Sequence, residues 1–129
     1  MTMTTQSEAS LYERLGGYDA IAAVTDEFLG RVMGDPGLSG YWAGHSDDTK
    51  RKERQLIVDF LVEATGGPAF YTGRDMNTSH KGLGISASEY DTLMEHCVAT
   101  LDNFEVPERE KNEVCSFLNG LRPEIVVKA

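Results

Sequence analysis

"GGPAFYTGRDMNTSHKGLGIS", residues 66–86, interrupts the helical pattern of the chain and holds five glycines, one proline and a single histidine, His80. Apolar residues recur at helical spacing on both sides of this segment. A connection of this length inside a compact domain is uncommon and is usually functional. We therefore expect residues 66–85 to lie across the helices, with at most one short turn of helix, and to serve a function.

Four amphipathic helices are predicted around this segment. Each has apolar residues on one face, and turn or capping residues stand at its ends. The first spans Tyr18–Met33, and the second carries a stripe from Leu56 to Ala64 after cap candidates in residues 43–49. The third begins at Ser86, with Glu89 completing a capping box, and its apolar face extends to Phe104. The fourth has Pro107 as its first residue and Pro123 near its end. A brief helix at residues 10–15 precedes them. No long stretch alternates with period two, so the fold class is all-α.

The composition favours one acidic domain. The 129 residues are enough to bury one core, which we place in residues 11–129 after a loose polar tail over 1–10. A net charge of −9 repels phosphate backbones and anionic lipids, so neither nucleic acid nor a membrane is an expected partner. The first residues have no basic start and no apolar run, and no later apolar run is long enough to span a bilayer. A cytoplasmic protein is expected.

The cysteines and the other histidines form no motif. Cys97 and Cys115 fall inside predicted helices and are expected to be buried reduced thiols, with a disulfide between them as the alternative. His45 lies in a polar loop and is expected to be solvated, and His96 borders the apolar face of the third helix. A zinc site built from His45, His80, His96 and a cysteine lacks any paired ligand spacing. The chain also lacks a nucleophile elbow and a phosphate-binding loop.

Two positions keep alternative interpretations. From the residues alone, His80 is a surface or capping residue or a ligand. Glu53 continues the stripe of the second helix one turn ahead of its apolar members. It therefore ends that face at solvent or faces a cavity.

The glycine-rich segment resembles the one that leads to the proximal histidine in truncated globins. The elements that carry the likeness are Gly66-Gly67-Pro68, the "YTG" that starts at Tyr71, and "HKGLGIS" from His80. Upstream, "LYERLGGYDAI" and "DEFLGRVMGDPGLSGYW" resemble the entry segment and first long helix of that family. The likeness covers about residues 11–125 and is greatest to group I.

The resemblance implies a two-over-two helical sandwich that holds haem b between its helix pairs. His80 would be the metal ligand, because it falls where the family ligates haem iron. The residues that would contact the porphyrin around it are Met76, Leu83 and Ile85, and those that would meet its propionates are Tyr71, Arg74 and Lys81. Met76, Leu83 and Ile85 are also consistent with ordinary core residues. Arg74 and Lys81 are also consistent with solvated charges of the loop.

The opposite, distal side departs from the family pattern. Leu29 stands where members commonly have a tyrosine, and Glu53 and Ile57 occupy positions that often hold glutamine. Tyr41 and Trp42 replace a phenylalanine pair and offer an O–H or an N–H to a ligand. The expected lining of the distal side is Phe28, Leu29, Trp42, Glu53, Leu56 and Ile57, and Phe60 is a further expected contact of the cofactor. It is largely apolar.

The expected function is the binding of small diatomic ligands, dioxygen, carbon monoxide and nitric oxide, to haem iron. A reductase is a candidate partner, and we expect a monomer or a weak homodimer. A nitric oxide dioxygenase or a peroxidase is the alternative within haem chemistry, and the missing distal donors disfavour it. A haem-free helical interaction module on a globin framework is the alternative from another class.

Overall fold

The computed structural model describes residues 9–80 and 82–126, which form seven α-helices and one short 3₁₀ helix joined by turns. Residues 1–8, most of the predicted tail, and residues 127–129 lie outside the described part. The α-helices are α1 Leu11–Leu15, α2 Tyr18–Met33, α3 Asp47–Ala64, α4 Met76–His80, α5 Ala87–Asn103, α6 Glu108–Gly120 and α7 Arg122–Ile125, and the 3₁₀ helix is Ser39–Trp42. No helix in the described ranges is long and apolar enough to cross a membrane.

The long helices pack as two pairs. Helix α3 packs on α2, and α6 packs on α5, while α2 also packs on α5 and joins the pairs. Short α1 contacts both α2 and α6, and α4 packs on α7. This arrangement confirms the predicted two-over-two all-α sandwich.

The helix starts follow from local capping. Ser86 accepts a hydrogen bond from the Glu89 N–H, and Glu89 accepts one from the Ser86 N–H, which is the predicted capping box of α5. Ser10 and Glu13 form the same motif at α1. Ser46, inside the stretch of predicted cap candidates, accepts from the Thr49 N–H and starts α3. Each cap satisfies backbone donors that a helix end leaves unpaired.

The core of the first helix pair lies between α2 and α3. Ile21 and Ala22 of α2 pack against Val58 and Val62 of α3, and both valines are fully buried. Tyr12 and Leu15 of α1, together with Leu61 and Ala69, flank this cluster. Helix α3 thus has a buried face toward α2, and its other apolar residues are available for a different partner.

The connection after α3 stays close to the core. The Tyr12 N–H donates to the Thr65 carbonyl, and the Gly67 N–H donates to the Val62 carbonyl. A Cβ atom at Gly67 would lie 2.6 Å from Val62 Cγ1 and against the Tyr12 ring, so only glycine fits there. The chain then forms the single short helix, α4, that the sequence predicted in this segment.

Three details differ from the prediction. Pro107 caps α6 from outside rather than forming its first residue, because its extended backbone precedes the helix. The chain bends at Leu121, so Pro123 belongs to the separate helix α7. Phe104, predicted on the apolar face of the third helix, ends α5 and is 41% exposed.

Candidate functional site

His80 is the last residue of α4, and its ring is held by the turn of helix before it. Its Nδ1 atom lies 2.9 Å from the Met76 carbonyl oxygen and 2.9 Å from Ser79 Oγ. Because a carbonyl only accepts, Nδ1 carries the proton in this bond, and in the neutral ring Nε2 then carries the lone pair. A backbone acceptor that fixes the tautomer in this way is the usual support of a metal-ligating histidine.

Local interactions set the position of α4. The Thr78 N–H donates to Asp75 Oδ1 at 2.7 Å, and this bond lowers the pKa of Asp75. At the other end, Gly82 has a φ of +90°, a left-handed conformation that favours glycine. The chain can therefore turn sharply after His80. Lys81, predicted to meet a propionate, lies outside the described residues.

A cavity of about 410 Å³ lies beside α4. Met76, one helical turn before His80, contributes to its wall, whereas His80 itself does not line it. The wall is mainly apolar, and three carboxylates stand at it. The lining residues are Phe60, Glu63, Ala64, Tyr71, Asp75, Met76, Phe117, Leu121 and Glu124.

One face of α3 runs toward this cavity. Glu53, Ile57, Phe60 and Ala64 follow one another at spacings of three or four residues, so they share a face away from the buried Val58. Ile57 and Phe60 are only half-buried, as is the neighbouring Leu56. A face of large apolar side chains beside a mainly apolar cavity, with an anchored imidazole one helical turn from the Met76 in its wall, fits a flat apolar ligand such as haem.

Tyr71 packs against this face. Its ring meets the Phe60 ring edge-on, with centroids 5.1 Å apart, and Phe60 also contacts the Phe117 ring at 5.8 Å. The Tyr71 hydroxyl donates to the Arg74 carbonyl, and burial raises the pKa of Tyr71. Arg74 is exposed. Contact of Tyr71 and Arg74 with propionates stays a prediction.

The other predicted residues lie on separate elements. Leu29 of α2 is buried, while Phe28 and Trp42, the latter on the 3₁₀ helix, are half-buried. Leu83 is 45% exposed and Ile85 is half-buried in the approach to α5. The structure thus brings Phe60, Tyr71 and Met76 together around one cavity. The roles of the others toward a ligand stay predictions.

Two polar contacts beside this region were missed by the sequence reasoning. His45, expected to be solvated, has its Nδ1 atom 3.1 Å from Glu53 Oε1. Glu53 is thereby held toward the 43–46 turn at the outer end of its face. The Tyr41 hydroxyl donates to Glu89 Oε1 at 2.8 Å, so it is already engaged with the cap of α5. Helical spacing carries no signal for contacts between separate elements.

His96 has a structural contact of its own. Its Nε2 atom lies 2.7 Å from Asp35 Oδ2, which ties α5 to the turn after α2. This bond and the N–H of Gly37 lower the pKa of Asp35. The three histidines therefore have three different environments, and His80 is the one whose partner is a backbone carbonyl beside the apolar cavity.

Comparison with known proteins agrees with this geometry. The chain matches the bacterial-like globin family over residues 10–126. It is 35% identical over 117 residues to a group 1 truncated haemoglobin of Mycolicibacterium paratuberculosis, covering 91% of this chain and 84% of the relative. A group 1 truncated haemoglobin of a Synechocystis species is 36% identical over 104 residues, covering 78% of this chain and 82% of the relative.

Solved structures show the same fold. Truncated haemoglobin from Tetrahymena pyriformis in the Fe(III) form superimposes with a TM-score of 0.84 at 28% identity, covering 93% of this chain and all of that one. The 2/2 haemoglobin of a Synechococcus species, solved in the cyanomet state with covalently attached haem, gives 0.83 at 27% identity, covering 92% and 98%. The family match and these relatives imply haem-based binding of diatomic gases. The chain belongs to the bacterial-like globins, as a member of the truncated haemoglobin family.

Proposed function

We propose that this chain binds haem b through His80 and holds diatomic gases reversibly in a largely apolar distal pocket. The observation that carries the proposal is the bond from His80 Nδ1–H to the Met76 carbonyl at the edge of the apolar cavity. This bond presents Nε2 as a ligand of fixed orientation. Haem, when bound, supplies an iron that binds such gases.

The apolar side chains would hold the macrocycle by excluding water from it. Ile57 and Phe60 present half-buried surface on the α3 face, and Met76 and Phe117 line the adjoining cavity. Covering such surface is favourable by roughly 25 cal/mol per Å² of apolar area. Neutral imidazole and this apolar wall together suit iron protoporphyrin without a covalent bond to the chain.

The distal side chains would set the preference among gases. Leu29, Leu56 and Ile57 carry no hydrogen-bond donor. A charge-assisted hydrogen bond stabilises a polar ligand by about 1.5–3 kcal/mol, which is roughly ten- to a hundredfold in dissociation rate. Dioxygen depends on such a bond more than carbon monoxide does. We therefore propose fast release of dioxygen and a preference for carbon monoxide and nitric oxide.

Glu53 and His45 add a polar edge to this pocket. Their contact keeps the carboxylate toward the turn at the N-terminal end of α3. In that position Glu53 accepts a hydrogen bond at the edge of the distal pocket. It does not supply the hydrogen-bond donor that Leu29, Leu56 and Ile57 lack.

The test is the kinetics of gas release from the ferrous haem-loaded protein. Dioxygen release is followed by stopped-flow absorbance with excess carbon monoxide as the trap, and carbon monoxide release by displacement with nitric oxide. The proposal predicts dioxygen release at least tenfold faster than from a Leu29→Tyr variant, with carbon monoxide release changed much less. A Leu29→Phe variant controls for the added ring. Slow dioxygen release that Leu29→Tyr leaves unchanged would contradict the apolar pocket.

A further inference from the structure

A pair of cysteines joins α5 to α6 outside the proposed haem site. Cys97 of α5 is buried, with 6% of its surface exposed, and Cys115 of α6 is half-buried. The two thiols are hydrogen-bonded to each other across the packed helices. A hydrogen bond between two thiols places their sulfur atoms near each other, as the formation of a disulfide requires.

The two thiols differ in their access to solvent. A groove of about 460 Å³ runs between α5 and α6, and Cys115 contributes to its wall together with Met94, Val98 and Ala99. Cys97 does not line the groove. A small reagent that enters the groove therefore meets Cys115 first.

The charges around the pair also distinguish the two thiols. Burial raises the pKa of Cys97 to about 12, and burial also raises the pKa of Cys115, which is the more exposed of the two thiols. Lys111, one turn earlier on α6, and the hydrogen bond with Cys97 favour the Cys115 thiolate, while Asp102 and Glu108 oppose it. Across the groove stand Asp91, Glu95 and Arg122. Cys115 therefore ionises first, and the fraction ionised increases with pH above neutrality.

We propose that Cys115 and Cys97 are an oxidisable dithiol, modified by low-molecular-weight disulfides to give an intramolecular disulfide between α5 and α6. The Cys115 thiolate attacks one sulfur of the reagent disulfide, forming a mixed disulfide and releasing one reagent thiolate. Cys97 then loses its proton and attacks the Cys115 sulfur. This step forms the Cys97–Cys115 bond and releases the second reagent thiol. The chain is oxidised by two electrons, and the reagent is reduced by two.

Oxidised glutathione is the probe, applied to the full chain and followed by intact-mass spectrometry under non-reducing conditions. The native chain is expected to lose two hydrogens and to gain no lasting adduct. Cys97→Ala should accumulate one glutathione adduct on Cys115, because no second thiol resolves it. Cys115→Ala should react at least tenfold more slowly than Cys97→Ala.

The pH series and the control variants decide the result. The rate of the first step should increase with pH between 7 and 9, and dithiothreitol should restore the original mass. A stable adduct on the native chain, reaction of Cys115→Ala as fast as Cys97→Ala, or no mass change at pH 9 would each overturn the proposal. None of these readouts depends on gas binding, so the outcome is separate from that of the proposed haem function.

Discussion

His80 Nδ1 and the Met76 carbonyl oxygen lie 2.9 Å apart, one helical turn from each other on α4. This short helix lies within the glycine-rich segment and borders the cavity, because Met76 lines the cavity wall. His80 is the last residue of the helix. The same turn of backbone thus sets the histidine tautomer and the position of the ring. In our proposal, His80 is the anchored iron ligand on one side of the site, and the apolar face of α3 lies on the other side.

A hydrogen-bond donor added to that face should slow the release of dioxygen. In Ile57→Gln, the amide N–H lies on the side that we assign to the ligand, and release should slow by about ten- to a hundredfold. Ile57→Leu keeps the face apolar and should stay within a few-fold of the native rate. Stopped-flow absorbance of the ferrous protein measures both. Equal rates for the glutamine and leucine variants would remove Ile57 from the distal pocket.

Gly67→Ala should destabilise the fold. The new methyl group would lie 2.6 Å from Val62 Cγ1 and against Tyr12, and such overpacking costs about 1–3 kcal/mol. The matched control is Gly30→Ala in the interior of α2, where an added Cβ meets nothing within 4 Å. That change should be neutral or should stabilise by about 0.5–1 kcal/mol. Urea unfolding of both variants gives the comparison, and equal effects would contradict the close approach at Gly67.

Arg14 should matter more to stability than an exposed arginine does. Its guanidinium bonds Glu110 at 2.7 Å and Glu113 at 2.6 Å, and Glu110 is buried. In Arg14→Met the Glu110 carboxylate loses its cation within the α1–α6 contact, so the melting temperature should fall by several degrees. Arg51, which pairs with Asp48 on the surface, is the control. Arg51→Met should change the melting temperature little, and an equal effect of the two variants would refute the argument.

The Asp35–His96 contact should make stability depend on pH in acid. Because the pKa of Asp35 is lowered in the folded protein, its contribution is fully present above its unfolded pKa, near 4. That contribution is lost as the pH falls through the lower folded value. The difference in urea midpoint between the native chain and Asp35→Asn should therefore be largest at pH 5–7 and should shrink below about pH 4. A difference that grows on acidification would be inconsistent with the lowered pKa.

The fold could be predicted largely from local signals. The Ser86–Glu89 box and the glycine and proline residues that interrupt the helices act within a few positions, so the sequence alone reveals them. The side-chain pairs could not be predicted in this way. Tyr41 and Glu89 are 48 residues apart and meet only because the 3₁₀ helix lies over the start of α5. His45 and Glu53 meet across a turn that carries no helical period.

In the candidate site, too, local features could be predicted from the sequence, and side-chain contacts that depend on the fold could not. The likeness of its glycine-rich segment to that of truncated globins singled out His80, and the role of His80 as iron ligand stays a prediction. The tautomer of His80 was not predictable, since the Met76 carbonyl becomes a partner only once α4 forms. The Glu53 side chain likewise had two interpretations from spacing, and its contact with His45 shows it held toward the turn.

The most direct test of the account is the absorption spectrum of the purified chain with hemin, ferric and dithionite-reduced, for the native sequence, His80→Ala and His45→Ala. The account predicts a Soret band and a five-coordinate ferrous spectrum for the native chain and for His45→Ala. In His80→Ala the band should be lost or strongly altered. A His80→Ala spectrum identical to the native one, or no specific band in the native chain with excess hemin, would contradict His80 as the haem ligand.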